Sequence, residues 1–531
     1  MTSGDAGSVD HTLDETRRGV LRRLLTGTSA VPLYFAIGRV LLQFAVNLGG
    51  GYGIFRDELY YIACAEHPAA GYVDHPPLSI LMLAVSRLLT GDSLFALRLL
   101  PALASGGTVF LTGLIASQLG GGRRAQVFAC AAWCASPINL GMFTIYSMNA
   151  FDHLVWAIAI YQYARLLKDP SPRRWLFLGV ILGVGMMNKI SVLWLAAGIA
   201  VAVVLSKERG ALRTPWPYAA AGVAFVLFIP FVLWNLTHDL AHLEFIRNAT
   251  ALKYSGLTPW TFASGQVLIQ NPVNFPFWLS GLVFLFFGRS VRTYLPLAVI
   301  VAFAFAILLV NGQSKSEYLA PAFPPLYAAG GVLAGKLFTA GWRVALGRTY
   351  LAAVVLAGVV LAPFALPVLP VESYIAYADV AGIAPSTAER QRLESLPQFY
   401  ADMFGWEKKA LDVAQVYNAL SESDKRKCAI YGDNYGRSAA IDVFGPRYGL
   451  PKAIGSHNNY WLWGPRGFTG ELVIILGGAL ADKQQIFDSV TIAGVSAAPY
   501  CMPYENNLSI YVCRNLKVSL AELWPRVKHY E

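Results

Sequence analysis

Long apolar runs separated by short polar loops fill the first two-thirds of the chain, up to residue 370. A helix that crosses a membrane needs about 20 apolar residues. Runs of roughly that length occur near residues 31–49, 95–119, 126–145, 151–168, 174–188, 190–206, 216–235, 264–287, 294–311, 318–339 and 350–370. The pattern therefore predicts a polytopic α-helical membrane protein, with a transmembrane module of about 11 spans over residues 31–370.

Shorter patterns complete the predicted fold. Two interrupted apolar stretches in the first loop, 57–66 and 77–90, predict helices that lie along the membrane surface. After residue 370 the pattern changes to an amphipathic helix near 406–420 and then to short β-rich runs. These runs lie at 428–431, 472–476 and 508–513. The last part, residues 371–531, is therefore predicted to be a small α/β domain.

Basic residues alternate between loops and predict the orientation. Up to Pro370 the chain carries 26 Lys and Arg against 15 Asp and Glu, and after it 16 against 17. The excess lies in alternate loops, at residues 17–23, 123–124, 165–174, 207–213, 289–292 and 343–348. Because cytoplasmic loops carry such an excess, residues 1–30 are predicted to be a disordered cytoplasmic tail and residues 371–531 to be extracytoplasmic. The predicted location is the cell inner (plasma) membrane.

Composition excludes one class of partner. The chain of 531 residues is 55% hydrophobic and 14% charged, with a net charge of +10. Its basic excess is confined to short loops between the apolar spans, and no basic patch with interleaved aromatic residues occurs, as nucleic-acid binding would need. We therefore expect membrane lipid, and no nucleic acid, among its partners.

The first predicted outer loop carries acidic side chains in two short motifs. Asp57 and Glu58 precede Tyr60 and Tyr61, and Asp74 begins an Asp-His-Pro-Pro-Leu sequence. Charged groups are costly near hydrocarbon and usually face a water-filled cavity or a substrate. Their position therefore indicates a functional site.

Asp57 is the candidate general base. An ionised carboxylate within hydrogen-bond range can take the proton of an attacking hydroxyl, which contributes about 100-fold to 10,000-fold to the rate. Glu58 or Asp74 would orient the acceptor, hold a metal or raise the pKa of Asp57 by like-charge repulsion. Alternatively, Asp57 caps a helix that begins at Glu58, because Asp is a favoured N-cap residue. Capping and catalysis are compatible.

These motifs and three others, in this order, resemble a known family. The others are Arg98-Leu99-Leu100-Pro101, Asn188-Lys189 and a Lys-Ser-Glu-Tyr-Leu-Ala-Pro sequence at 315–321. Between residues 30 and 335 the chain resembles class C (GT-C) glycosyltransferases of the protein O-mannosyltransferase and lipid A aminoarabinose transferase kind. The resemblance implies a GT-C-like fold and a sugar donor carried on a polyprenyl phosphate, such as undecaprenyl phosphate. It also implies transfer at the outer face, usually with inversion.

The resemblance implies roles for the acidic motifs. By position, Asp57 resembles the catalytic acid, Glu58 its neighbour and Asp74 the second acid of the loop. His75 stands where the aminoarabinose enzymes have a lysine that meets the donor phosphate. An imidazole carries that positive charge only when it is protonated.

Cations and tyrosines further along the chain are candidates for donor binding. Lys189 and Lys315 would hold the departing phosphate, since a fixed cation is needed where negative charge develops. Alternatively, both lysines snorkel to the membrane interface. Tyr60, Tyr61 and Tyr318 would line the sugar pocket, or they are interfacial aromatic residues.

Two further positions have competing interpretations. Asp152 matches an acidic position at the outer end of a family helix, and it is also a helix-start charge of the kind that the helix dipole favours. His238 and His242, spaced i and i+4, could join Asp74 around a divalent metal ion. The cofactor therefore stays open between none and a divalent metal.

The sequence thus predicts an integral-membrane glycosyltransferase that moves a sugar from a polyprenyl-phosphate donor to a lipid, glycan or protein acceptor at the outer face. Its rival is a transporter or flippase for a lipid-linked glycan, in which buried acids relay protons at mid-membrane depth. A third class is a non-enzymatic scaffold, for which Asp57 and Asp74 would be dispensable. The gathering of acids at one predicted face favours the enzyme.

Overall fold

The computed structural model describes residues 27–49, 51–254 and 256–531, so the predicted tail lies outside the described residues except at its end. The α-helices up to residue 361 are Ala30–Leu48, Arg56–Ala65, Leu78–Thr90, Leu94–Leu97, Leu99–Gln118, Arg123–Cys134, Pro137–Gly141, Met148–Lys168, Pro172–Met186, Val192–Leu205, Trp216–Thr237, Ala241–Asn248, Pro259–Ile269, Phe275–Phe287, Leu295–Asn311, Pro324–Leu337 and Trp342–Leu361. Short 3-10 or π segments connect several of them: Lys207–Arg213, Ala249–Lys253, Pro272–Asn274, Arg289–Tyr294, Ser316–Ala322 and Ala362–Phe364.

Several of these helices are apolar and long enough to cross a membrane. Within the described residues they are Ala30–Leu48, Leu94–Gln118, Trp216–Thr237, Arg289–Asn311 and Trp342–Phe364. Shorter apolar helices occur at Leu78–Thr90, Val192–Leu205 and Pro272–Phe287. The chain is therefore a multi-pass membrane protein, and its predicted total of about 11 spans stays a prediction.

One predicted span is not a single helix. The run at 264–287 is divided between Pro259–Ile269 and Phe275–Phe287. The break is at Asn271, whose φ of 69° is incompatible with a right-handed helix, and Pro272 follows it. The Asn271 side chain stabilises the break, because its amide donates hydrogen bonds to the carbonyl oxygens of Ala135 and Val354 at 3.0 and 3.1 Å. Apolar composition alone gave no sign of this interruption.

Two of the loops with excess basic charge, at 123–124 and 289–292, lie at one end of the helical part. Tyr294 donates a hydrogen bond to the carbonyl oxygen of Gln118 at 2.5 Å, and Lys336 contacts Ser290 at 2.5 Å. Gln118 ends the helix Leu99–Gln118, whose 20 residues rise about 30 Å. The start of this helix, next to Arg98, is at the opposite end together with Glu58. These two basic loops and the acidic motif at Glu58 therefore lie at opposite ends of the helical part.

The two predicted surface helices have different environments. In Arg56–Ala65 nine of the ten residues are buried by protein, so the prediction that this helix rests on the membrane surface is wrong. In Leu78–Thr90 the side chains of Leu81, Val85, Leu88 and Leu89 are exposed. Their spacing forms one apolar stripe, which suits a helix in the plane of a membrane interface.

The part after residue 370 contains helices and one sheet. Its α-helices are Val371–Ala381, Gln398–Ala401, Trp406–Asn418, Glu422–Lys425, Tyr435–Phe444, Asn459–Leu462, Leu480–Ile486 and Leu520–Leu523, with 3-10 turns at Gly445–Tyr448, Pro503–Glu505 and Trp524–Val527. Its strands are β1 (Cys428–Gly432), β2 (Ile454–Gly455), β3 (Leu472–Leu476), β4 (Phe487–Ser496) and β5 (Leu508–Leu516). We call residues 371–531 the C-terminal domain.

The sheet has the order β2-β1-β3-β5-β4. Strands β2, β1 and β3 are parallel, and β5 is antiparallel to both β3 and β4. The sequence predicts β1, β3 and β5 because their residues are largely buried and apolar. It misses β2, which has two residues, and β4, an edge strand whose residues are mostly exposed.

The helix Tyr435–Phe444 joins the two parts of the molecule. It follows β1 and packs against Arg56–Ala65 of the helical part. Gly436 permits this close approach, since a Cβ at that position would lie 2.8 Å from Cγ of Arg56. The acidic motif at residue 57 is thereby covered by the C-terminal domain.

Candidate active site

A cavity of about 580 Å³ lies between the helical part and the C-terminal domain. Of the residues predicted from sequence, it is lined by Asp57, Tyr60, Tyr61, Asp74, Lys189, His242, Lys315 and Tyr318. Glu58, His75, Asp152 and His238 do not line it. The structure thus brings together two of the three predicted catalytic acids and both predicted phosphate-binding lysines.

Asp57 faces this cavity from the first turn of Arg56–Ala65. It is not the N-cap: the N-cap residue is Phe55, whose N–H is bound by the Glu58 carboxylate at 2.9 Å. The Asp57 side chain is 40% exposed, toward the cavity, and Oδ1 accepts a hydrogen bond from the Tyr435 hydroxyl at 2.7 Å. The capping alternative is therefore wrong for Asp57, which leaves its carboxylate free to act in the cavity.

Cations keep Asp57 ionised. Burial raises the pKa of its carboxyl group, but Arg56, Lys253 and the hydrogen bond from Tyr435 together lower that pKa below its usual value. Nε of Arg56 lies 3.4 Å from Oδ1. Asp57 is consequently a carboxylate at neutral pH, able to accept a proton or to orient a donor group.

Glu58 is a structural residue. Its side chain is fully buried and forms a bidentate ion pair with Arg98, at 2.9 and 2.7 Å. It also accepts the backbone N–H of Tyr146 at 2.7 Å, in addition to that of Phe55. Both of its oxygens are therefore occupied away from the cavity, and the prediction that Glu58 acts in catalysis is corrected.

Asp74 reaches the cavity, whereas His75 turns away from it. Oδ1 of Asp74 accepts a hydrogen bond from the Tyr60 hydroxyl at 3.0 Å. Nδ1 of the buried His75 lies 3.1 Å from the carbonyl oxygen of Pro76, and its ring packs against Tyr61 with 4.8 Å between ring centres. His75 thus belongs to the packing behind the wall, and its predicted contact with a donor phosphate is not supported.

Tyr60 and Tyr61 form part of the wall through both ring and hydroxyl. The Tyr60 hydroxyl also binds Oδ1 of Asn459, in the C-terminal domain, at 3.1 Å. Tyr61 accepts the backbone N–H of Met148 at 3.2 Å. Both hydroxyls therefore form hydrogen bonds within the protein, and a ligand in the cavity would contact the rings.

Lys189 is held at the cavity by polar partners. Its Nζ lies 2.7 Å from Oδ1 of Asn149 and 3.6 Å from Oδ2 of Asp152. Asp152 is buried behind it and accepts a hydrogen bond from Ser191 at 2.9 Å. Asp152 thus orients Lys189 and does not contact the cavity, so its predicted direct role in donor binding is corrected to an indirect one.

Lys315 and Tyr318 lie on the loop and 3-10 turn that precede Pro324–Leu337. Lys315 Nζ is 4.5 Å from the ring centre of Tyr254, and Lys189 Nζ is 5.5 Å from the ring centre of Tyr318. The hydroxyls of the two tyrosines are 3.4 Å apart. The two lysines therefore flank one pair of aromatic rings. Burial lowers the pKa of Lys315, but Glu317, Tyr254 and Glu389 together raise it above its usual value, so Lys315 is a cation in the cavity wall.

The predicted metal ligands do not converge. His238 stacks on Trp234 with 4.3 Å between ring centres, and its Nδ1 lies 2.8 Å from the carbonyl oxygen of Trp234. His242 lines the cavity, but its Nδ1 lies 2.9 Å from the carbonyl oxygen of Val73. Within the described ranges no group of three histidine, cysteine or acidic residues could hold a metal ion. The set of Asp74, His238 and His242 is therefore not assembled.

Sequence reasoning missed cavity residues that lie far apart in the chain. Lys253 pairs with Glu389 at 3.6 Å, and Arg56 lies 3.9 Å from the same carboxylate. Lys253 and Arg56 lower the pKa of Glu389 below its usual value, against the effect of burial. Tyr435 completes this side of the cavity. Only Arg56 had a signal in the sequence, its position beside Asp57.

Comparisons with known proteins agree with this architecture. A family model described as dolichyl-phosphate-mannose-protein mannosyltransferase matches residues 74–234. The crystal structure of ArnT from Cupriavidus metallidurans bound to undecaprenyl phosphate is similar with a TM-score of 0.57 and 14% sequence identity. The match covers 90% of this chain and 97% of that chain. The fold is therefore similar to that of ArnT, and the resemblance to the mannosyltransferase family model covers residues 74–234.

Two other solved structures are similar over less of their length. The oligosaccharyltransferase AglB from Archaeoglobus fulgidus, in complex with an inhibitory peptide and a dolichol-phosphate, has a TM-score of 0.46 and 10% identity over 79% of this chain and 64% of that chain. The Pmt1-Pmt2 protein O-mannosyltransferase complex of S. cerevisiae has a TM-score of 0.33 and 14% identity over 42% of this chain and 36% of that chain. No curated protein sequence matches the chain significantly.

Proposed function

We propose that the protein is an integral-membrane glycosyltransferase that takes a sugar from a polyprenyl-phosphate donor. The observation that carries the proposal is one cavity in which the Asp57 carboxylate and the Lys189 and Lys315 ammonium groups face the same space. A fold shared with ArnT, whose structure holds undecaprenyl phosphate, supports the same donor class. No nucleotide-sugar site is needed for this chemistry.

The lysines suit the departing phosphate. As the bond between the sugar C1 and the phosphate oxygen breaks, negative charge grows on that oxygen, and fixed cations stabilise it best in a site that excludes water. Lys189 is oriented by Asn149 and Asp152, while Lys315 rests against the ring of Tyr254. Both charges are thus held in place before the donor arrives.

Asp57 suits the acceptor side of the reaction. The acceptor oxygen forms its bond to C1 as the phosphate leaves, and its proton, when it has one, passes to Asp57. Because its pKa is low, Asp57 is ionised at neutral pH, but it is a weak base. Such a base fits an acidic acceptor as well as a hydroxyl, whereas an ionised phosphate acceptor would need no base. Lipid, glycan and protein acceptors all remain within the proposal.

The arrangement of acids favours transfer over transport. The cavity is lined by Asp57, Asp74, Glu317 and Glu389 at the end of the helical part that the C-terminal domain covers. A proton relay for transport needs acids along the membrane depth. We place this end, with the C-terminal domain, on the outer face of the plasma membrane, because two of the basic loops lie at the opposite end.

An assay of the purified protein tests the proposal. Detergent-solubilised protein would be incubated with a panel of radiolabelled sugars on undecaprenyl phosphate and with lipid, glycan and peptide acceptors. We expect label to move to one acceptor class with release of undecaprenyl phosphate. Movement of intact donor across a proteoliposome without sugar transfer would instead identify a flippase. Donor binding without either reaction would identify a scaffold.

A further inference from the structure

Arg56 is held in place by contacts with the C-terminal domain. Its Nη1 donates a hydrogen bond to the Tyr504 hydroxyl at 2.6 Å and lies 3.6 Å from Oδ2 of Asp402. Its guanidinium carbon is 5.3 Å from the ring centre of Tyr435. The backbone N–H of Arg56 also donates to the carbonyl oxygen of Asp402 at 2.9 Å. The residue next to Asp57 is therefore fixed by three different segments of the C-terminal domain.

We propose that Asp402 is a positioning residue for the transfer reaction, which acts through Arg56 on the orientation and basicity of Asp57. This inference rests on the proposed function. It assigns the C-terminal domain an indirect part in the chemistry, because Asp402 does not line the cavity and contacts Asp57 through the guanidinium of Arg56.

Few groups around Asp402 can compensate its negative charge. Its side chain is fully buried, and Oδ2 accepts a hydrogen bond from Gln398 at 3.3 Å. Oδ1 has no hydrogen-bond partner in the part of the chain that the structure describes. Arg56 is thus the cation that compensates Asp402, and the same cation compensates Asp57 at 3.4 Å. One guanidinium is shared by two carboxylates.

Because the two carboxylates share one guanidinium, the protonation state of Asp402 affects the pKa of Asp57. Burial raises the pKa of Asp402 to about 7, with Arg56 opposing this shift and the charges of Asp57 and Glu389 adding to it. Tyr504 and the ammonium group of Lys409 also face Asp402 electrostatically. When Asp402 is ionised, it takes part of the electrostatic stabilisation that Arg56 would otherwise give to Asp57. When Asp402 is protonated, Arg56 acts on Asp57 and Glu389 alone, and Asp57 becomes a weaker base.

The test is the pH dependence of transfer by the full-length protein. For the wild type we expect kcat to rise severalfold between pH 5.5 and 8.5, because ionised Asp402 raises the pKa of Asp57 and makes it a stronger base, with a midpoint near 7. The Asp402→Asn variant should lack this rise and stay near the low-pH rate of the wild type, with an unchanged KM for the donor. If Asp402 had only a structural role, the Asp402→Asn variant would have a changed kcat at every pH and would keep the midpoint.

Matched variants separate these effects from misfolding. Asp412→Asn changes another buried aspartate of the C-terminal domain, one that pairs with Lys408 and lies outside the cavity, and should keep the wild-type profile. Tyr504→Phe removes a hydrogen bond to Arg56 without changing charge, so it should lower kcat and keep the midpoint. If Asp402→Asn fails to fold, Asp402→Glu is measured, and it should retain a midpoint.

The outcomes are distinct. An unchanged profile in folded Asp402→Asn overturns the inference while leaving the proposed function intact. A Tyr504→Phe variant with wild-type kcat, or an Asp402→Glu variant without a midpoint, also overturns it. Absence of transfer by the wild type at every pH overturns the proposed function and the inference together.

Discussion

The Tyr435 hydroxyl donates a hydrogen bond of 2.7 Å to Oδ1 of Asp57, across a separation of 378 residues. Tyr435 begins the helix that follows β1 in the C-terminal domain, and Asp57 lies in the first turn of Arg56–Ala65 in the helical part. The proposed catalytic carboxylate is therefore completed by a residue of the C-terminal domain. That domain is part of the active site in this account.

Tyr435→Phe should slow transfer. The change removes a hydrogen bond to a charged group, of the kind worth about 1.5–3 kcal/mol, and leaves the ring in place. Loss of this bond also removes an effect that lowers the pKa of Asp57, but we expect the lost orientation of the carboxylate to dominate. We therefore expect kcat to fall by about tenfold, with an unchanged KM for the donor, because Tyr435 contacts Asp57 and not the lysines. Tyr448→Phe, which loses only an exposed contact to Glu407, is the control. Equal kcat values in the two variants would contradict the role of Tyr435.

Lys189→Met and Lys315→Met should each impair the chemical step. Removing one fixed group that stabilises developing charge costs about 100-fold to 1,000-fold in kcat. Initial rates at saturating donor measure this effect. Lys336→Met is the matched control, because Lys336 contacts Ser290 at the opposite end of the helical part. Near-normal rates in both cavity variants would show that the lysines only reach toward the membrane interface.

Glu58→Gln should affect folding more than chemistry. Breaking a buried ion pair by neutralising one partner costs about 3–5 kcal/mol, and here it leaves the Arg98 guanidinium buried without its carboxylate. Thermal unfolding in detergent should show a markedly lower Tm. Glu66→Gln, in a partly exposed pair with Lys452, should cost about 1 kcal/mol or less. A Glu58→Gln protein with wild-type Tm and no activity would indicate that Glu58 takes part in catalysis.

Stability should depend on pH through Asp402. Its folded-state pKa of about 7 lies above the unfolded value of about 3.9, so the folded protein holds a proton that the unfolded chain has lost between these pH values. The free energy of unfolding from this group therefore falls as pH rises from 4 to 7. We expect Asp402→Asn to raise Tm relative to the wild type at pH 8 and to raise it less at pH 5. A stabilisation larger at pH 5 than at pH 8 would contradict the assigned ionisation.

Much of the site could be predicted from local sequence. Asp57, Asp74, Lys189 and Lys315 each stand in a loop or at a helix end beside apolar runs, and alternation of basic loops placed them at one predicted face. A membrane restricts the chain to few arrangements, so residues at one face are already candidates for one cavity. The structure brings these four residues to the same space.

The remaining features depend on geometry that the sequence does not display. Successive helix residues point about 100° apart, so when Asp57 faces the cavity its neighbour Glu58 cannot, and the boundary of the helix decides which one does. Lys253, Glu389 and Tyr435 have no local motif, and Glu389 and Tyr435 reach the cavity only through docking of the C-terminal domain. His238 failed as a ligand because its ring stacks on Trp234.

The most direct test of the account is single-turnover sugar transfer by the purified wild type and by Asp57→Asn, measured together with the affinity of each for undecaprenyl phosphate. The account predicts that both proteins bind the lipid phosphate with similar affinity, since the lysines are intact, and that only the wild type transfers sugar. Transfer by Asp57→Asn at the wild-type rate, or absence of lipid phosphate binding by the wild type, would contradict it.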